Sequence, residues 1–176
     1  MLELLERPPR TIMEVFKMLP AGTLAELIDG IIYMSPSPVT DHQRIISKLL
    51  GRMFPYTEEN QLGEIFVAPF DVYLDEQANA VQPDIIFVSK KNEGIVKDYI
   101  HGVPDLLIEL LSPGNKSHDT VMKKNLYEKF GVKEYWIIDP ETKESIGYAL
   151  EGKWYKEFFR SSGQISSRLL DATFKY

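Results

Sequence analysis

The sequence predicts an α/β fold, a mixed β-sheet flanked by few helices. Three observations carry that expectation. The run Asp105-Leu106-Leu107-Ile108-Glu109-Leu110-Leu111 is apolar enough for a central strand covered on both faces. Asp29-Gly30 sits between two short apolar runs, the strongest short-range signal for a β-hairpin. Apolar stripes at helical spacing occur in the forties and again after residue 119.

The elements follow in order. Thr11-Ile12-Met13-Glu14 has capping-box spacing and predicts a short helix ending before Pro20. Leu24 to Ile28 and Ile31 to Ser35 form the hairpin. Thr40-Asp41-His42-Gln43 reads as a second capping box, opening a helix with Ile45, Ile46, Leu49, Leu50 and Met53 on one stripe. Glu64 to Leu74 reads as a strand or bent pair broken at Pro69. Val81 to Val88 reads as one strand, with Pro83 near its start. A lysine-bearing loop, 89–102, leads to the apolar strand, and Ser112-Pro113-Gly114-Asn115 reads as a turn. The next helix runs from about Asp119 to Phe130, with Gly131 as its C-cap. Glu134 to Ile138, Ser145 to Leu150 and Lys153 to Phe159 read as strands, the last two joined at Glu151-Gly152.

Length and composition bound the function. A chain of 176 residues suits one domain, 1–176. With no cysteine and three histidines, disulfides and thiolate metal sites are excluded and a structural zinc site is disfavoured. No apolar stretch reaches membrane-spanning length, and the acidic start is not a secretory signal, so the expected compartment is the cytoplasm. A net charge of −6 argues against a nucleic-acid coat protein but leaves room for a local basic surface. Residues 116–133 carry five lysines against Asp119 and Glu128.

Glu109 is the residue that demands an explanation. An ionised carboxylate on a central strand costs several kcal/mol unless a cation or hydrogen bonds compensate. The sequence offers two partners: a metal ion shared with Asp84, and Lys123 on the following helix. Strand alternation puts Asp105, Leu107, Glu109 and Leu111 on one face, and Asp84 with Ile86 and Val88 on another. If these strands are neighbours, Asp84 and Glu109 converge on one hard cation, for which Mg2+ or Mn2+ is suited. Helical phase places Met122, Leu126, Asp119, Phe130, Lys123 and Tyr127 in one buried arc and turns Lys124 about 100° towards solvent. Lys123 is therefore the lysine that faces the sheet, and Asp119 is within reach to pair with it.

These residues resemble a known family. Pro83-Asp84, then Glu109, then a lysine is similar to the PD-(D/E)XK nuclease superfamily, the restriction-endonuclease-like fold. Val103 to Pro113, Lys123, Tyr127, Gly131-Val132 and Glu134 to Pro140 resemble its Uma-type branch more closely. So do Glu26-Leu27-Ile28-Asp29-Gly30, Ser35-Pro36 and His42. The resemblance covers roughly residues 11–150. It implies a metal-dependent endonuclease acting on DNA, with Asp84 and Glu109 as metal ligands. Lys123 and Glu26 join them in the catalytic group, and His42 and Lys124 are candidate substrate contacts. Two positions depart from the pattern. The superfamily's lysine two residues after the glutamate is Leu111 here, and Lys123 stands where the branch supplies it from the helix. Ala25 and Ile31 replace a tyrosine and a glutamate usual in the first hairpin.

Each residue also has a purely structural reading. Asp84 alone is consistent with a strand opening after proline. Glu109 and Lys123 alone make a structural bridge, and Lys123 alone a snorkelling lysine. His42 fits a satisfied histidine near a helix start. Glu26, opposite Tyr33, fits a surface cross-strand residue. Lys124, Lys129 and Lys133 fit a solvated face. Two rival functions remain open: a non-catalytic nuclease-fold module that binds DNA or a protein, and a metal-free carboxylate-pair hydrolase. Alternation along the C-terminal strand puts Trp154 and Phe158 on one face and Tyr155 and Phe159 on the other, which suggests a homodimer surface. On this reading Lys123→Met abolishes cleavage but leaves the fold intact.

Overall fold

A computed structural model describes residues 7–112 and 118–176. The expected turn at 113–115 lies outside them, as does the side chain of Asp119. Helix α1 is Ile12–Lys17, with Thr11 accepting from the Glu14 N–H at 3.1 Å while the Glu14 carboxylate accepts from the Arg10 N–H. The hairpin is β1 (Ala25–Ile28) and β2 (Ile31–Met34), and its turn residues Asp29 and Gly30 both have positive φ. That is the left-handed pair a two-residue hairpin needs. Helix α2 is Thr40–Glu59. Its expected cap is displaced: Thr40 is the first helical residue and Val39 the cap. The Gln43 N–H, which a Thr40 hydroxyl would have capped, instead donates to the Val39 carbonyl.

The remaining elements are β3 (Gly63–Val67), β4 (Val72–Tyr73), β5 (Ala80–Val81), β6 (Ile85–Ser89), β7 (Ile100–His101) and β8 (Leu106–Leu110). A π-helical turn, His118–Lys123, runs straight into α3, Lys124–Phe130, and Gly131 closes it at φ 85°. Then come β9 (Glu134–Ile138), β10 (Glu144–Glu151), β11 (Trp154–Ser162), β12 (Gln164–Ser167) and β13 (Ala172–Lys175).

Two sheets carry the molecule. One has the order β2-β1-β5-β4-β7, the other β11-β10-β9-β8-β6-β3. Strands β8 and β9 are parallel, joined through α3, and β6 pairs antiparallel with β8. The expected strand over 81–88 is in fact two, β5 in the first sheet and β6 in the second. Gln82-Pro83-Asp84 crosses between them, and the Ala68-Pro69 segment crosses the other way beside it. Proline has no N–H to lose, so it suits a point where the ladder is broken.

The layers follow from strand alternation. Ile28, Val72, Val81 and Ile100 of the first sheet meet Ile86, Val88, Leu107 and Ile137 of the second, with Leu126 and Tyr127 of α3 between them. On the second sheet's outer face, Ile85, Leu106, Ile108, Leu110 and Trp136 pack against α2 and the β12–β13 pair. Helix α1 covers the outer face of the first sheet through Met13 and Phe16. Among the described residues no helix is long and apolar enough to cross a membrane.

The C-terminal hairpin departs from simple alternation. Gly147 faces Phe159 and Tyr148 faces Glu157, so Phe158 is the extra residue of a bulge. Phe158 and Phe159 therefore both reach Trp136, at ring-centroid distances of 5.4 Å each. A Cβ on Gly147 would come within 2.6 Å of the Trp136 ring, which explains glycine there. Tyr155 is buried and its hydroxyl donates to the Val132 carbonyl, which leaves Trp154, 69% exposed, as the outward aromatic. The two-faced aromatic strand is thus largely internal packing. Strands β12 and β13 have no counterpart in the sequence reading.

Candidate active site

The crossing geometry brings the acidic residues together from different parts of the chain. In β1, Ala25 and Leu27 point to α1, so Glu26 and Ile28 point between the sheets. In β8, Leu106, Ile108 and Leu110 point to α2, so Glu109 points to the same inter-sheet space from the opposite side. Lys123 enters from the helix. Its ammonium donates to Glu109 Oε1 at 2.9 Å and lies 2.9 Å from Glu26 Oε1. All three side chains are buried. Glu26 is therefore not a surface cross-strand residue, although it faces Tyr33 in register as expected.

Two further donors fix the carboxylates. The Gln82 N–H donates to Glu26 Oε1 at 2.9 Å, and the Tyr127 hydroxyl donates to Glu109 Oε1 at 2.7 Å. Burial pushes the Tyr127 phenol well above its ordinary value, and the charges of Glu109 and Glu26 add to the effect, so it stays a donor. Tyr127 lies one turn after Lys123 on the same face, a spacing that marks it as a second helical residue aimed at Glu109. Gln82, at the crossing between sheets, left no signal in the sequence pattern.

Asp84 lies just outside β6. Ile85 pairs with Ile108, and the same register carried one residue further sets Asp84 opposite Glu109. Its Oδ2 accepts from the Leu110 N–H at 2.7 Å and from His42 Nε2 at 3.1 Å. A carboxylate oxygen has no proton to give there, so Nε2 carries a proton. Nδ1 is buried and has no hydrogen-bond partner among the described residues. His42 is thus half satisfied, and its orphan nitrogen calls for a partner the described residues do not supply.

A cavity of about 270 Å3 is lined by Glu26, His42, Gln82, Asp84, Glu109 and Lys123, with Ser35 and Pro36 at its wall. Asp84 is the least enclosed of the carboxylates, its side chain 17% exposed against 4% for Glu109. Five of the six residues singled out from the sequence converge here. Lys124 does not: its ammonium lies 4.6 Å from the centre of the Tyr148 ring. Lys129 pairs with the exposed Asp29 and Lys133 with the buried Asp105, and both lysines are mostly exposed, as a solvated face requires.

The donor set suits a hard divalent cation. The described residues lining the cavity include three carboxylates and one lysine ammonium, an oxygen-rich set. No group of three or more His, Asp or Glu among the described residues is arranged to hold an ion by itself. Magnesium keeps several waters and takes one or two carboxylates, so it needs no full protein cage. Asp84 and Glu109 are the residues that would hold it, with oxygens on both sides of the β6–β8 register.

The fold matches that of a crystallised protein from Anabaena variabilis ATCC 29413, described as a putative nuclease belonging to DUF820. The TM-score is 0.69 at 21% identity, covering 85% of this chain and 84% of that one. The mixed sheets flanked by helices expected from the sequence are thus also the fold of that protein. A family model for Uma2, described as "Putative restriction endonuclease", matches residues 13–173, and the chain belongs to that family. No curated protein matches the sequence.

The burial of Lys123 corrects one expectation. Removing its charge leaves Glu26 and Glu109 facing each other without a shared cation. Lys123→Met should therefore lose about 3–5 kcal/mol of stability in denaturant unfolding, the cost of breaking a buried pair. Tyr127→Phe should lose about 1–3 kcal/mol, the cost of one missing donor to a buried group. A Lys123→Met protein as stable as the wild type would contradict the shared-ammonium geometry.

Proposed function

We propose that the protein is an endonuclease that hydrolyses DNA phosphodiester bonds with magnesium or manganese in the 270 Å3 cavity. The observation that carries this reading is the convergence of Glu26, Asp84 and Glu109 on one cavity, with the Lys123 ammonium shared by Glu26 and Glu109. Membership of the Uma2 family supports it.

A bound ion supplies positive charge against the scissile phosphate. Asp84 and Glu109 would hold that ion, and the Leu110 N–H and His42 Nε2 fix the Asp84 carboxylate in place for it. Lys123 has its ammonium committed as a donor to Glu109 and close to Glu26, so it serves as a fixed positive charge that offsets charge building on the phosphate. Glu26 orients that lysine and is itself anchored by the Gln82 N–H. His42 lines the cavity, where we assign it a contact to water or substrate. Lys124, stacked on Tyr148 away from the cavity, touches DNA only beyond the reacting phosphate, if the duplex extends that far.

Cleavage should require magnesium or manganese and stop with chelator. Asp84→Asn and Glu109→Gln should each slow it on the order of 100-fold or more by removing an ion ligand. Glu109→Gln also disturbs the buried ion pair, so Asp84→Asn is the cleaner variant. Full activity in Asp84→Asn with unchanged magnesium binding would overturn the ligand assignment. A folded wild-type protein that binds DNA without any metal-dependent turnover would make it a binding module instead.

One cavity of this kind cuts one strand, so double-strand cleavage is most simply made by a two-fold homodimer. The edge strand β11 with its outward Trp154 is the surface we assign to it. Light scattering should give twice the chain mass of 20.2 kDa at micromolar concentration, and Trp154→Ala should shift it towards that mass. A wild-type mass of one chain would remove the dimer.

A further inference from the structure

A second cavity, of about 380 Å3, lies beside the first and shares Pro69 and Gln82 with it. We propose that it is a nucleobase pocket, which takes an unstacked base bearing an exocyclic amino group next to the cleaved phosphate. This rests on the nucleic-acid reading of the first cavity.

The walls are aromatic. Tyr99 lies 6.0 Å from Phe70 and 5.9 Å from Tyr73 between ring centroids, and Tyr73 stacks on His101 at 5.0 Å. Tyr99 is 37% exposed, so part of a large ring faces outward at the cavity wall. Aromatic faces of this kind stack bases whatever their identity.

The polar groups reject phosphate. Lys17 and His101 are the basic residues of the lining, and both are already committed. Lys17 pairs with Glu76 at 2.6 Å and lies over the Tyr73 ring, and His101 bridges Glu76 at 2.7 Å and Asp98 at 3.1 Å. The carboxylates of Asp71 and Asp98 also line the wall. A phosphate would meet repulsion, whereas an uncharged ring with N–H donors would not.

The same groups set a preference. Gln82 spends its side-chain N–H groups on the Thr23 carbonyl, at 3.1 Å, and on Asp71 Oδ1, at 2.8 Å. Both partners only accept, so the amide orientation is fixed and Oε1 is left as an acceptor with no partner among the described residues. Asp71 Oδ2 receives only a long 3.5 Å contact from the Tyr73 hydroxyl. A wall of acceptors favours cytosine and adenine, which carry an amino donor where thymine carries a carbonyl. The backbone of Gln82 donates to Glu26 while its side chain donates to Asp71, so one residue joins the two cavities.

Deoxynucleosides test the pocket apart from catalysis, because they carry no phosphate to hydrolyse. Ligand-observed NMR titration of the whole protein should show deoxycytidine and deoxyadenosine binding about tenfold or more tightly than thymidine. Tyr99→Ala should weaken deoxycytidine binding about tenfold, and Tyr99→Phe should restore it. Asp71→Asn should narrow the gap to thymidine. Nucleoside binding without any DNA cleavage would sink the nuclease reading but keep the pocket. Cleavage without nucleoside binding, equal binding of all three nucleosides, or binding unchanged in Tyr99→Ala would overturn the pocket. So would tetramethylammonium binding in place of nucleosides, which would make it a cation cage.

Discussion

The ammonium of Lys123, shared by Glu26 and Glu109, is the interaction on which the rest of the site depends. Glu26 comes from the smaller sheet, Glu109 from the centre of the larger one, and Lys123 from the helix that crosses between its parallel strands. Without the lysine, two carboxylates face each other in an apolar layer, an arrangement that costs several kcal/mol. With it, three elements are held at one point. The Tyr127 hydroxyl and the Gln82 N–H take up further acceptor capacity on those carboxylates and prevent them from turning elsewhere.

Asp84 adds a third carboxylate, tied to a peptide N–H and to His42 rather than to another ammonium. Buried pairs of this sort add little net stability and invite another reason for their presence. Here Asp84, the most exposed of the three carboxylates, and His42 line the same cavity as Glu26, Glu109 and Lys123.

Much of this was legible in the residues. Period two in 105–111 put Glu109 on the face opposite Ile108, and helical phase separated Lys123 from Lys124. Asp29-Gly30 fixed the hairpin and with it the face of Glu26. Crossing segments were not legible: Val81 to Val88 reads as one apolar strand because nothing local tells a sheet change from a strand continuing past proline. Alternation also failed at Phe158, where the bulge opposite Gly147 inserts one residue and turns both phenylalanines inward. Residues 164–175 were missed because two apolar anchors, Ile165 and Phe174, are too sparse to show a period. The Thr40 cap failed because a cap motif shifted by one residue has the same composition. Glu26 was placed in the site by resemblance, and only the packing of the two sheets gives the physical reason.

We propose that Asp84 and Glu109 hold a hard cation at this cavity. Crystals soaked in manganese and recorded at its absorption edge test it directly. The account predicts one strong anomalous peak bonded to carboxylate oxygens of both residues, with Lys123 still on Glu109. Well-ordered carboxylates with no peak between them, or a peak bound elsewhere in the molecule, would contradict it.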